Sequence, residues 1–216
     1  MVSKENVKLY NRYPLSSVLV YNGTTVAHYA LGGIGIILGY GFWIGYLLGS
    51  LYLAFSFIEM YIHMPLKVCP NCVYYKLGNS LCISGLNVVS RKVAKEGNIK
   101  DFPKRARGIF CPNNLYLAAL AIPIIAMVPA LIINFTLPVL IILFVVIGLL
   151  VFRFLVIFPK IACVHCRAQN ICPQAQSMGL ERNKQPLQLR NQLFLLKQKF
   201  GNCPPRPTIG SIITQI

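Results

Sequence analysis

Acidic residues are almost missing from this chain: five Asp and Glu stand against 21 Lys and Arg in 216 residues. Histidine is scarce as well, with three copies. Acid–base catalysis draws mainly on these side chains, so its supply here is thin. The sequence holds no phosphate-binding loop, no nucleophile elbow, no HExxH helix and no paired catalytic carboxylates. A cleavable leader is not expected, because the first apolar run begins late, after a polar stretch, and lacks an A-x-A-like site. Charge of any kind is sparse at 12% of residues, well below the level of soluble domains.

What fills the chain instead is apolar. Hydrophobic residues make up 56% of it, and mean hydropathy is positive. A membrane-spanning helix needs about 20 apolar residues. Residues 115–133 form one uncharged run, and 138–158 form another that is interrupted only by Arg153. The link Asn134-Phe135-Thr136-Leu137 before Pro138 reads as a tight turn. The earlier stretch, 26–63, is too long for a single span and divides around 41–44 into two shorter helices. Four spans are the expectation.

The cations set an expected orientation. Three fall in residues 1–23, nine in 63–114 and nine in 153–216, and none lies between the two helices of either hairpin. The positive-inside rule then puts both termini and the central loop in the cytoplasm. The net charge of +16 is read as topology and contact with anionic lipid, not as nucleic-acid binding.

The eight cysteines repeat this organisation. One apolar hairpin leads into Pro65 and then Cys69-Pro70-Asn71-Cys72, followed by Cys82 and Cys111-Pro112. The second leads into Pro159 and then Cys163-Val164-His165-Cys166, followed by Cys172 and Cys203-Pro204. The spacings are C-x2-C-x9-C-x28-C and C-x2-C-x5-C-x30-C. Cytoplasmic thiols stay reduced and serve more often as metal ligands than as disulfides. Four thiolates built around a CxxC are the ligand count of a closed tetrahedral site. Two separate metal sites are therefore expected, with ligands Cys69, Cys72, Cys82, Cys111 and Cys163, Cys166, Cys172, Cys203. Zinc is favoured and iron–sulfur clusters are the alternative, since spacing alone does not separate them. A single site in which the two CxxC pairs meet is the less favoured geometry, and thiol–disulfide exchange is the metal-free reading.

The remaining polar residues of the apolar segments are read blandly. His165 replaces Asn71 of the first half and is expected to face water. His28 and His63 are taken as core or interface residues. Glu59 and Arg153, near predicted cytoplasmic ends of helices, are expected to snorkel or to pair with the loops. No central cluster of polar membrane residues is visible. Gly35/Gly39, Gly41/Gly45 and Gly45/Gly49 are small-x3-small spacings that let helices approach closely. Pro123 and Pro129 should kink the third span and free carbonyls that other side chains must satisfy. A short basic surface helix carrying Val89 and Val93 is expected in 85–108, and an amphipathic one in 186–200.

The fold class expected is thus an all-α membrane protein of two parallel hairpin repeats, each followed by a cytoplasmic four-cysteine loop. Its segments are 1–23 (N-terminal), 24–62 (first hairpin), 63–114 (first cysteine loop), 115–158 (second hairpin) and 159–216 (second cysteine segment). The expected function is that of an integral membrane subunit or anchor, more in keeping with a non-catalytic role. Its metal sites would organise a face for other membrane or cytoplasmic subunits. The alternatives are an iron–sulfur electron-transfer subunit and a membrane thiol–disulfide oxidoreductase.

Overall fold

A computed structural model of the chain describes residues 8–106 and 111–179. These fall within the first of two units, Met1–Arg182; the second, Asn183–Ile216, lies outside the described residues. Cys203 and the amphipathic segment 186–200 are therefore outside them too.

Among the described residues the chain is helical and has no sheet. Helix α1, Leu15–Tyr40, follows Pro14, whose fixed φ and missing N–H suit a helix start. It begins earlier than the expected hairpin boundary. It stops at Gly41, where φ is +78°, a conformation open to glycine without strain. Helix α2, Phe42–Ile58, then returns along α1. The break falls within the expected 41–44. Beyond it come two short helices, α3 (Val73–Lys76) and α4 (Leu86–Val93), and a 3₁₀ segment, Ile99–Ala106. Helices α5, Pro112–Ile133, and α6, Leu137–Phe152, form the second hairpin, and α7, Pro173–Ser177, closes the described chain.

Among the described residues three helical stretches are long and apolar enough to cross a membrane: Phe42–Asn71, Pro112–Ile133 and Leu137–Ala162. Four were expected. Helix α1 has the length but is diluted by Ser16, Ser17, Asn22, Thr24, Thr25 and His28. Trp43, Leu47, Ile125, Ile132, Ile141 and Phe144 are exposed, so the outward faces of the long helices are apolar.

The glycines act within this chain. A Cβ on Gly45 would lie 2.2 Å from the carbonyl oxygen of Ile37, and one on Gly39 would lie 2.7 Å from the Cβ of Ala130. Backbone therefore meets backbone where α2 turns back on α1. For Pro123 the freed carbonyl is satisfied from another helix, as expected. Pro123 cannot donate to the carbonyl of Ala119, and the Tyr52 hydroxyl donates to it instead at 3.0 Å. His28 Nε2 lies 3.0 Å from the carbonyl of Leu120, and the Tyr40 hydroxyl donates to that of Ala126 at 2.8 Å. His28 is thus a satisfied core residue.

Candidate functional site

Both CxxC motifs are delivered by the same device. Past Ile58 the helix widens into a π-helical stretch, Glu59–Val68, and past Phe152 into another, Arg153–Ala162. Each has a proline at its seventh position, Pro65 or Pro159, which removes a backbone donor and crowds the preceding turn. The amide of Cys69 reaches back five residues to the carbonyl of Met64. The amide of Cys163 does the same to Phe158 at 2.7 Å. One turn then closes each motif, with Cys72 N–H donating to Cys69 C=O at 3.0 Å and Cys166 N–H to Cys163 C=O at 3.2 Å.

These turns open onto one chamber of about 190 Å³, lined by Cys69, Cys72, Cys82, Cys163, Cys166 and Cys172. The sequence leads one to expect a separate site in each half, whereas this chamber is shared by both. Equivalent positions of the two halves form its walls: Met64 with Phe158, Val68 with Ala162, and Tyr74 with Ala168, each pair 94 residues apart. Among the described residues no Asp, Glu, Lys or Arg lines it. Nor do three His, Cys, Asp or Glu side chains among them converge as a ready metal group. Cys111 does not line the chamber; it is buried as the N-cap of α5, its Sγ accepting the Asn114 amide at 3.4 Å.

Burial pushes the Cys166 thiol up from its ordinary range, and the neighbouring thiols of Cys72, Cys172 and Cys163 push it further. The Cys166 thiol is thus held in its neutral form, and a soft cation taken up there would have to displace its proton.

An N-terminal strap ties the two cysteine loops together. Tyr13 N–H donates to the Leu81 carbonyl at 2.9 Å, while its hydroxyl donates to the carbonyl of Ala162 at 2.5 Å. The Tyr74 hydroxyl donates to the carbonyl of Tyr10 at 2.8 Å and accepts the amide of Arg167 at 3.3 Å. His165 belongs to this strap, stacking on Tyr10 and lying 2.8 Å from the carbonyl of Lys8. Asn71, its counterpart, accepts the amide of Asn98 at 2.9 Å. Both middle residues therefore hold flanking chain and are half-buried, so His165 serves the strap where water contact was expected.

Two further residues depart from expectation. Glu59 does not snorkel: it is 4% exposed and its Oε2 lies 2.8 Å from His63 Nδ1, one turn along. Arg153 is 1% exposed and has no carboxylate partner among the described residues. It donates to the hydroxyl of Thr25, and its guanidinium carbon lies 4.9, 5.5 and 5.7 Å from the ring centres of Tyr21, Tyr116 and Phe158. Those three rings are chamber wall. Thr25, His28 and Arg153 thus form a buried polar cluster, and Glu59 is buried with His63 beside it, where no such group was visible in the sequence. Its one linear signal is that Glu59 and Arg153 each stand six residues before the proline of their half.

The fold and the chamber define a class: among the described residues, a helical chain with three helices long and apolar enough to cross a bilayer and cysteines of both halves around one cavity. No protein-family model, curated protein sequence or solved structure matches it.

Proposed function

We propose that this chain is an integral membrane protein whose chamber holds a thiolate-ligated metal centre at the cytoplasmic surface, and that it serves as a non-catalytic subunit or anchor of a larger membrane assembly. One observation carries the reading: six cysteines from both halves surround a single cavity. Cys69, Cys72, Cys163 and Cys166 are the ligands of choice, because each CxxC turn presents two sulfurs from one short segment. Cys82 and Cys172 stand beside them on the wall.

Four spans remain the best topology. Helix α1, at 26 residues, is about 39 Å long and packs along α2, α5 and α6, so it sits at the depth of the helices it touches. Its polar residues Thr25 and His28 turn inward, which is what a span in lipid demands. The charge-free outer turns and the cation-rich loops support a topology with the chamber, the strap and both termini on the cytoplasmic side.

An iron–sulfur centre for electron transfer is a second reading. It is favoured by the chamber's size, about 190 Å³, against a water's share of about 30 Å³. The deciding experiment is metal and acid-labile sulfide analysis, with a visible spectrum, on protein purified without oxygen. Zinc without colour supports a structural centre, at about one equivalent for a shared site and about two for separate sites. Iron with sulfide moves the protein to electron transfer. Absence of metal, with ready alkylation of Cys69, Cys72, Cys163 and Cys166, overturns both readings in favour of thiol–disulfide exchange.

A further inference from the structure

The deepest electrostatic oddity of the molecule is the Arg153 guanidinium. It is buried, its Nε and Nη1 have no hydrogen-bond partner among the described residues, and no acid answers its charge. Burying an unpaired cation costs several kcal/mol, and desolvated cation–π contacts of about 2 kcal/mol each offset part of that without neutralising the charge. The titratable groups around it are the phenols of Tyr21, Tyr29, Tyr61 and Tyr116 and the imidazole of His28. None of these is an anion at neutral pH.

The equivalent position of the other half is handled differently. Glu59 stands in the same place relative to its proline, and His63 on its own helix answers it. The two halves thus leave one side of the chamber with an uncompensated positive charge. It sits directly behind wall residues Tyr21, Tyr116 and Phe158. The wall itself carries no ionised side chain among the described residues.

We propose that Arg153 is the counter-charge for an anionic metal–thiolate centre in this chamber, so that the site takes a thiophilic divalent cation with four thiolates. This deepens the metal-centre reading and rests on it. A divalent ion bound by four thiolates carries a net charge of −2, and beside apolar walls that charge calls for a fixed cation nearby. Arg153 supplies it without becoming a ligand. Its guanidinium stays protonated in any setting a protein offers, which a lysine buried there would not.

The test uses the full chain in lipid nanodiscs, reduced and freed of metal, titrated with Co²⁺ and Cd²⁺ against a competing chelator. Thiolate-to-metal charge-transfer absorption reports occupancy of the cysteines. Wild type is expected to bind. Arg153→Met is expected to bind at least about tenfold more weakly, the effect of one charge roughly 10 Å away at an effective dielectric near 20. Glu59→Gln, which alters the buried charge of the other half in the opposite sense, is expected to bind as tightly as wild type or tighter. Arg153→Gln keeps a polar contact to Thr25 and carries the same expectation as Arg153→Met should the latter not fold. Binding by folded Arg153→Met or Arg153→Gln within twofold of wild type overturns the proposal while leaving the metal centre standing. Failure of wild type to take up either ion overturns the metal centre and the proposal together.

Discussion

Pro123 shows how one residue's chemistry is felt two helices away. It leaves the Ala119 carbonyl without its amide donor, in a segment fit to lie in lipid, and Tyr52 supplies the missing hydrogen bond. Tyr52→Phe keeps the ring and removes the donor. It should destabilise the protein by about 0.5–2 kcal/mol, read as a lower midpoint in detergent unfolding. Gly45 makes a sharper case, since a methyl group there meets the backbone oxygen of Ile37 at 2.2 Å. Gly45→Ala should open the α1–α2 hairpin and lower the midpoint strongly. Gly148→Ala, where nothing lies within 4 Å, should be neutral or add up to about 1 kcal/mol through helix propensity. Equal effects of the two substitutions would remove close packing as the reason for Gly45.

At the scale of elements, the π-helical stretches are the informative parts. They deliver Cys69 and Cys163 in the same backbone geometry, although only Pro65 and Pro159 mark them in the sequence. The strap of residues 8–13 then locks the two loops through buried phenols. Tyr13 and Tyr74 are 2% and 1% exposed, and burial holds both phenols above their ordinary value of 10.0. The unfolded chain therefore loses these protons first. Stability is fully present below about pH 10 and falls as pH climbs beyond it. Tyr13→Phe should lose the contact to Ala162 yet soften this alkaline decline, measured as melting temperature against pH. A decline unchanged in that variant would assign it to other groups.

For the whole molecule, the prediction concerns sidedness. The turns at Gly41 and at Asn134 should share one side of the membrane, and the two CxxC loops the other. Single cysteines placed at Trp43 and Phe135 in a cysteine-free background should react with impermeant maleimide only from outside in sealed, right-side-out vesicles. Reaction of one turn without the other would mean that α1 and α2 do not form a spanning hairpin. Much of this plan was legible in the sequence. Apolar run length, charge-free turns and the position of the first hairpin break follow from properties each residue carries alone: hydropathy, charge and the positive φ open to Gly41. The duplicated CxxC likewise marked four of the six cysteines that line the chamber. Three things were decided only by tertiary structure. The two motifs share one chamber, Glu59 finds its partner in His63, and Arg153 is sealed behind Tyr21, Tyr116 and Phe158. Each depends on which surfaces meet across segments far apart in the chain, 94 residues for the two motifs and 37 and 132 for Arg153 with Tyr116 and Tyr21, or on how a widened helical turn aims a side chain, and hydropathy counts neither.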